Sequence, residues 1–269
     1  MAKDRRRLYD TFLEFGIWLL FVALLVPAVV VGYAIGKDNG GGETVTVTVS
    51  EAEAIRAERA AIELAPAFSA EDLAEEPTDA WITNGGSLAN QRYSPLDDID
   101  TSNVKELRGV WMTDLLGSAT AAKYSAEGQP IAYDGVIYIP TGADEVFAVG
   151  VKSGHILWHY DAKLDQAINT VCCGWLSRGV ALGEGKVFLG QLDGKLVALD
   201  QRTGEVVWST EVGSWKQGYT VTHAPLYYDG MVITGVSGGE YSIRGRVQAY
   251  DAAGNLSAIS PYQRVFSKK

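Results

Sequence analysis

Hydrophobic and polar positions divide this chain into three kinds of pattern. After a basic start (Lys3, Arg5, Arg6, Arg7), residues 15–36 run without a charge. At 1.5 Å per helical residue that run reaches about 33 Å, past the roughly 30 Å of a hydrocarbon core. It predicts a membrane-spanning helix in which Pro27 is tolerated. The cations ahead of the run, with only Lys37 directly after it, place the N-terminus in the cytoplasm and the remainder outside. The competing reading is a cleaved signal peptide with Gly32-Tyr33-Ala34 at the cleavage site, although the run exceeds the usual core of about 7–15 residues. Beyond a Gly40-Gly41-Gly42 break, Thr44 to Val49 alternates with the period of a strand. Ser50 with Glu53 then forms a capping box that opens an Ala/Glu/Arg helix, closed at Pro66.

Over residues 81–251 the pattern changes to short β-rich runs: Val136-Ile137-Tyr138-Ile139, Val187-Phe188-Leu189-Gly190 and Val232-Ile233-Thr234-Gly235. Asp134-Gly135, Glu184-Gly185 and Asp229-Gly230 precede them as turns feeding strands. Ala148, Gly154 and Trp158 recur as Ala198, Gly204 and Trp208, fifty positions on. A repeat of that length reads as a stack of four-stranded blades, with Gly turning a hairpin and Trp wedged between neighbours. Both tryptophans are therefore assigned to packing. A third repeat starts at Val247-Gln248-Ala249-Tyr250-Asp251, but Gly254 follows Ala249 by five residues where the earlier repeats show six, and Ala258 replaces the expected Trp. Residues 257–269 carry no propeller pattern.

Composition narrows the partners. The 269 residues have a net charge of −10 and no basic stripe, which excludes nucleic acid as a partner. His155, His159 and His223 lack metal-ligand spacing, and no Cys-x-x-Cys-His is present to attach haem.

The only cysteines, Cys172 and Cys173, are adjacent. Their Cα atoms stand about 3.8 Å apart, below the roughly 4.4 Å at which ordinary disulfides begin. A bridge here would be a strained ring that closes no loop; the alternative is two buried thiols acting as small hydrophobes.

Together with Arg178 five residues later, and with Trp81-Ile82-Thr83-Asn84-Gly85-Gly86, Asn90 to Leu96, Ala126-Glu127-Gly128-Gln129-Pro130, Tyr219 to Pro225 and Ser237-Gly238-Gly239-Glu240, the pair resembles the quinoprotein alcohol dehydrogenases that use pyrroloquinoline quinone (PQQ). The resemblance covers about two-thirds of the chain, from Pro77 to Asp251. It implies an all-β fold, the first two to three blades of the family's eight-bladed propeller, behind the N-terminal helix. It also implies that Cys172 and Cys173 form a vicinal disulfide lying against one face of the quinone. Arg178 would pair with a cofactor carboxylate through its planar fork. Glu127 and Thr222 would hydrogen-bond the cofactor, and Ser237, Gly238 and Gly239 would let backbone approach it. Glu240 would bind a Ca2+ or lanthanide ion, a hard cation suited to carboxylate oxygen. Thr220 matches no family contact, Gly239 stands where methanol dehydrogenases carry Ala, and Arg244 reads as structural.

The reaction implied is oxidation of an alcohol substrate, with electrons passed to a cytochrome or quinone acceptor. No catalytic residue is assigned in this chain, because the family's aspartate base and its further ligands come from later blades. The expected division is 1–14 cytoplasmic, 15–36 anchor in the inner (cytoplasmic) membrane, 37–76 stalk, 77–251 periplasmic blades and 252–269 a divergent tail from a truncated or frame-shifted reading. On that division the chain carries no turnover of its own. A membrane-tethered, non-catalytic propeller scaffold is the alternative function.

Overall fold

The computed structural model describes residues 28–29, 49–115, 124–125, 127–172 and 174–261. The chain divides into two compact units, Met1–Ala57 and Glu58–Lys269. In the first, β1 (Ala28–Val29) pairs antiparallel with β2 (Val49–Ser50). Two residues of the expected span are thus extended, as β-branched Val29 favours; the rest of residues 15–36 lies outside the described residues. Among the described residues no helix is long and apolar enough to cross a membrane. The capping box forms as expected, with Glu53 N donating to Ser50 Oγ at 3.3 Å and Ser50 N to Glu53 Oε2 at 3.0 Å. The Ser50 N–H, and secondly the Ser50 hydroxyl (3.0 Å), donate to the charged carboxylate and hold Glu53 below its ordinary pKa.

The helix that follows, α1 (Glu51–Ala60), stops well before Pro66. Tertiary bonds replace its next turn: Glu63 N donates to Asp134 Oδ2 (3.1 Å), Ala65 N to Gln201 Oε1 (2.7 Å), and Arg202 Nε to Ile62 O (3.0 Å). Ile62, Ala65, Phe68 and Leu73 are all buried in the β core, Leu73 on a short second helix, α2 (Ala70–Ala74), capped by Ser69. Residues 62–73 are therefore not a free stalk. Their apolar side chains have a core to enter, which spacing along the chain did not reveal.

Among the described residues of the second unit, three four-stranded antiparallel meanders carry the β structure. The first contains β3 (Ile131–Tyr133), β4 (Val136–Pro140), β5 (Val146–Gly150) and β6 (Ile156–Tyr160). The second contains β7 (Ala181–Gly183), β8 (Lys186–Gly190), β9 (Lys195–Asp200) and β10 (Val206–Glu211). The third contains β11 (Leu226–Tyr228), β12 (Met231–Gly235), β13 (Arg246–Asp251) and β14 (Leu256–Pro261). Both residues of each predicted turn, Asp134-Gly135, Glu184-Gly185 and Asp229-Gly230, have positive φ, the geometry that matches a hairpin to strand twist. Burial is greatest in the middle strands, with Val146 and Ala148, Val187 to Leu189, and Leu196 to Leu199 all nearly inaccessible.

Trp158 and Trp208 pack between sheets as the repeat predicts. The Trp158 indole N–H donates to Gln201 O and that of Trp208 to Ala252 O, both at 2.9 Å. Their rings lie on Gly204 and Gly254, where an added Cβ would come within 2.5 and 2.7 Å of the indole. Trp111 completes the series: its indole N–H reaches Val151 O at 2.8 Å and its ring covers Gly154. It stands outside the fifty-residue count, so spacing missed it. Gly254 is in phase after all. The third hairpin is one residue shorter in its turn, since Val149 pairs with Ile156 and Leu199 with Val206, but Tyr250 with Leu256. Register recovers at once, and β14 completes the sheet over residues 256–261, five of which, 257–261, lie where the sequence shows no propeller pattern. Backbone pairing needs no tryptophan.

In such a meander, the connection between the second and third strands and the connection out of the fourth strand emerge at one end. The two tight hairpins turn at the other. Tryptophans and hairpin glycines therefore meet at one end, leaving the opposite end to the longer connections.

Candidate functional site

Every described site residue predicted from the sequence lies on those longer connections. Glu127 precedes β3, Cys172 and Arg178 join β6 to β7, Thr222 joins β10 to β11, and Ser237 to Glu240 join β12 to β13. Backbone bonds lace the four segments side by side. Ser125 N donates to Trp175 O (2.7 Å), Gln129 N to Arg178 O (3.2 Å), Arg178 N to Thr222 O (3.1 Å), and Thr220 and Ser237 exchange both bonds (3.1 and 2.7 Å). Asn84 Nδ2 adds a bond to Arg178 O at 3.0 Å.

A cavity of about 210 Å³ opens between the segments, lined by Cys172, Arg178, Thr222, Ser237 and Glu240 together with Val171, Leu176 and Thr220. Arg178 is held from two sides: one guanidinium nitrogen meets Glu127 Oε2 at 3.0 Å, and the other donates to Thr222 Oγ1 at 3.1 Å. The Thr222 and Ser237 hydroxyls hydrogen-bond at 2.7 Å. Thr220, which the sequence left without a role, has a buried side chain whose hydroxyl has no hydrogen-bond partner. Gly238 sits at φ +128, and a Cβ there would come 1.9 Å from Gly218 O, so only glycine lets the two loops touch. At Gly239 nothing lies within 4 Å of an added Cβ, so an alanine would fit. Cys173, and with it the expected disulfide, lies outside the described residues.

Trp175 is no part of the cavity wall. Its ring is buried edge-on to Tyr124 at 5.5 Å, and its N–H donates to Ile168 O at 3.0 Å. Among the described residues, Glu240 is the only carboxylate lining the cavity. Among the described residues no group of three or more His, Cys, Asp or Glu side chains is placed to hold a metal ion. A hard cation such as calcium takes roughly six to eight oxygens, so these residues alone do not form a metal centre.

His223, beside Thr222, supports the site from behind. Gly235 N donates to its Nε2 at 3.0 Å, which places the ring proton on Nδ1. Burial, and secondly the Arg178 charge, push its pKa below the ordinary value. As pH falls below about 6.5, the unfolded chain takes up this proton before the folded one does, so the contribution present at neutral pH is lost progressively. Thermal melting between pH 7.5 and pH 5 is expected to show a smaller acid loss in His223→Gln than in the parent; an equal loss would contradict this account.

A family model for the PQQ glucose/ethanol/alcohol dehydrogenase β-propeller domain matches residues 81–256. The chain is 44% identical over 187 residues to the quinoprotein alcohol dehydrogenase PedH of Pseudomonas putida, a match covering 69% of this chain and 31% of that protein. It is also 44% identical over 174 residues to the 1-butanol dehydrogenase (cytochrome c) of Thauera butanivorans, covering 64% of this chain and 24% of that one. Among solved structures, a europium-containing methanol dehydrogenase superposes with a TM-score of 0.64 at 35% identity, over 72% of this chain and 33% of its own. The quinohemoprotein alcohol dehydrogenase of Comamonas testosteroni superposes with a TM-score of 0.65 at 34% identity, over 78% and 30%. The chain thus spans between a quarter and a third of the length of these relatives.

Proposed function

The chain belongs to the PQQ glucose/ethanol/alcohol dehydrogenase β-propeller family, and from that premise we propose that it forms one wall of a PQQ site in a membrane-anchored alcohol dehydrogenase. The observation that supports this is convergence: Cys172, Arg178, Thr222, Ser237 and Glu240, drawn from three connections, line one cavity. Its donor set suits an oxygen-rich anion, combining a fixed guanidinium with hydroxyls, one of them buried and unpartnered.

In this reading Arg178 holds a cofactor carboxylate and Glu127 orients its guanidinium. Thr222 and Ser237 offer hydroxyls, while Cys172, disulfide-bonded to Cys173, faces one side of the ring system. Gly238 would hold its loop against Gly218, and the open space at Gly239 would let a ligand approach the backbone. Glu240 would offer its carboxylate to a Ca2+ or lanthanide ion whose remaining ligands would come from elsewhere. When bound, the quinone supplies two-electron oxidation of an alcohol. The acceptor would be a cytochrome or a quinone, as in the names of relatives such as the 1-butanol dehydrogenase (cytochrome c) and an alcohol dehydrogenase (quinone). The basic start and the uncharged run support a reading with the β unit outside the cytoplasmic membrane. A vicinal disulfide accords with such an oxidising compartment.

The test is titration of PQQ, with calcium present, into the purified chain, read by tryptophan fluorescence and quinone absorbance. Saturable binding is expected, without dye-linked alcohol oxidation, because no described residue at the cavity is left to act as the base. Lack of a general base alone typically costs about 10²–10⁴-fold. Absence of binding would overturn the cofactor reading in favour of a scaffold, and turnover above a no-enzyme control would require a different active site.

A further inference from the structure

We propose that Thr220 is a further ligand contact, donating its hydroxyl to an acceptor oxygen, carboxylate or carbonyl, of the group bound in the cavity. This rests on the cofactor reading above. Thr220 lies on the connection between β10 and β11, two residues before Thr222. Both its backbone groups are used by Ser237, at 3.1 and 2.7 Å, which fixes the position of its side chain in the wall. The residue is 1% exposed, it lines the cavity, and its Oγ1 has no hydrogen-bond partner.

Two other hydroxyls at the cavity differ in this respect. Thr222 and Ser237 bond each other at 2.7 Å, and Thr222 also accepts from Arg178. They are already partly satisfied before any ligand arrives. Thr220 is not, and a buried hydroxyl without a partner is a standing cost to the fold. Such a cost is recovered when a ligand supplies the acceptor. The nearby Arg178 charge sets the ligand's character: it favours an anionic or strongly polarised oxygen over a donor group. A valine of the same shape would keep the packing and remove the cost together with the contact.

Opposite signs for stability and binding follow. Thr220→Val is expected to melt no lower than the parent without ligand, yet to bind PQQ about tenfold more weakly, the scale of one hydrogen bond to a charged acceptor. Thr220→Ser, which keeps the hydroxyl, is expected to retain most of the affinity. The experiment titrates PQQ into the parent chain and both variants by tryptophan fluorescence, alongside thermal melts without PQQ. Parent binding with undiminished affinity in Thr220→Val would overturn this contact and leave the cofactor reading standing. Equal weakening in both variants, or a lower melting temperature for Thr220→Val, would assign Thr220 to packing and overturn it as well. Failure of the parent to bind would reject the cofactor reading itself, and this contact with it.

Discussion

Trp158→Ala is expected to destabilise the β unit by about 3–5 kcal/mol, the range for deleting a large buried aromatic, against a total of roughly 5–15 kcal/mol for a typical domain. Trp158 is 5% exposed. It covers Gly204, reaches Gln201 O through its N–H at 2.9 Å, and lies 5.9 Å from the Tyr138 ring. Truncation removes packing from both sheets and leaves the Gln201 carbonyl without that donor. The three tryptophans should rank by burial, because the area removed from water scales the loss. Trp208 is half-buried and Trp111 is 38% exposed, so the order expected is Trp158, Trp208, Trp111. Gly204→Ala should approach the Trp158 effect from the other side. Its φ is +73, and the new Cβ would meet the indole at 2.5 Å. Urea unfolding of the four variants checks the series. A Trp111→Ala loss as large as that of Trp158→Ala would show that the repeat contact, rather than burial, carries the energy.

Arg178→Ala is expected to do the reverse, weakening PQQ binding by about 10–100-fold while hardly changing stability. The binding loss follows from a charge-assisted hydrogen bond to a carboxylate, stronger than a neutral one. The small stability change follows from exposure: the Arg178 and Glu127 side chains are 47% and 39% exposed, and an ion pair that open to water contributes about 0–1 kcal/mol. Arg178→Lys should fall between, since an ammonium keeps the charge but lacks the planar fork that now spans Glu127 and Thr222. Melting temperatures and PQQ affinities measured on the same preparations separate the two effects. Unchanged affinity in Arg178→Ala would remove Arg178 from the site, and a collapse in melting temperature would make it a structural residue.

Turns and strands were largely legible in the residues themselves. Asp134-Gly135, Glu184-Gly185 and Asp229-Gly230 announce hairpins because few residue pairs accept positive φ in succession. Gly204 and Trp158 announce a sheet-to-sheet contact because the repeat returns them in phase. Cys172, Arg178, Thr222, Ser237 and Glu240 were singled out by the resemblance of their segments to one family, which spacing and residue type alone did not supply. Misreadings arose where the deciding contact is distant in sequence. The helix was carried on to Pro66 because nothing nearby marks Ala60 as its end; Gln201 and Asp134, far along the chain, supply the bonds that compete with the next helical turn. A shortened turn before Gly254 looked like the loss of a repeat, since counting along the chain cannot distinguish a deletion in a turn from one in a strand.

The sequence by itself determined the period, the strand-forming runs, the hairpin geometry and the residue types available for chemistry, because each depends on local backbone preference or on side-chain identity. Only the tertiary structure decided that Trp111 belongs with Trp158 and Trp208, that residues 62–73 enter the core, and that the longer connections gather at one end of three meanders. It also decided that, of the two threonines at 220 and 222, the one that matches no family contact holds the buried, unpartnered hydroxyl. Pairing partners, burial and the satisfaction of a hydrogen bond are relations between distant residues, and they acquire a value only when the sheets are packed.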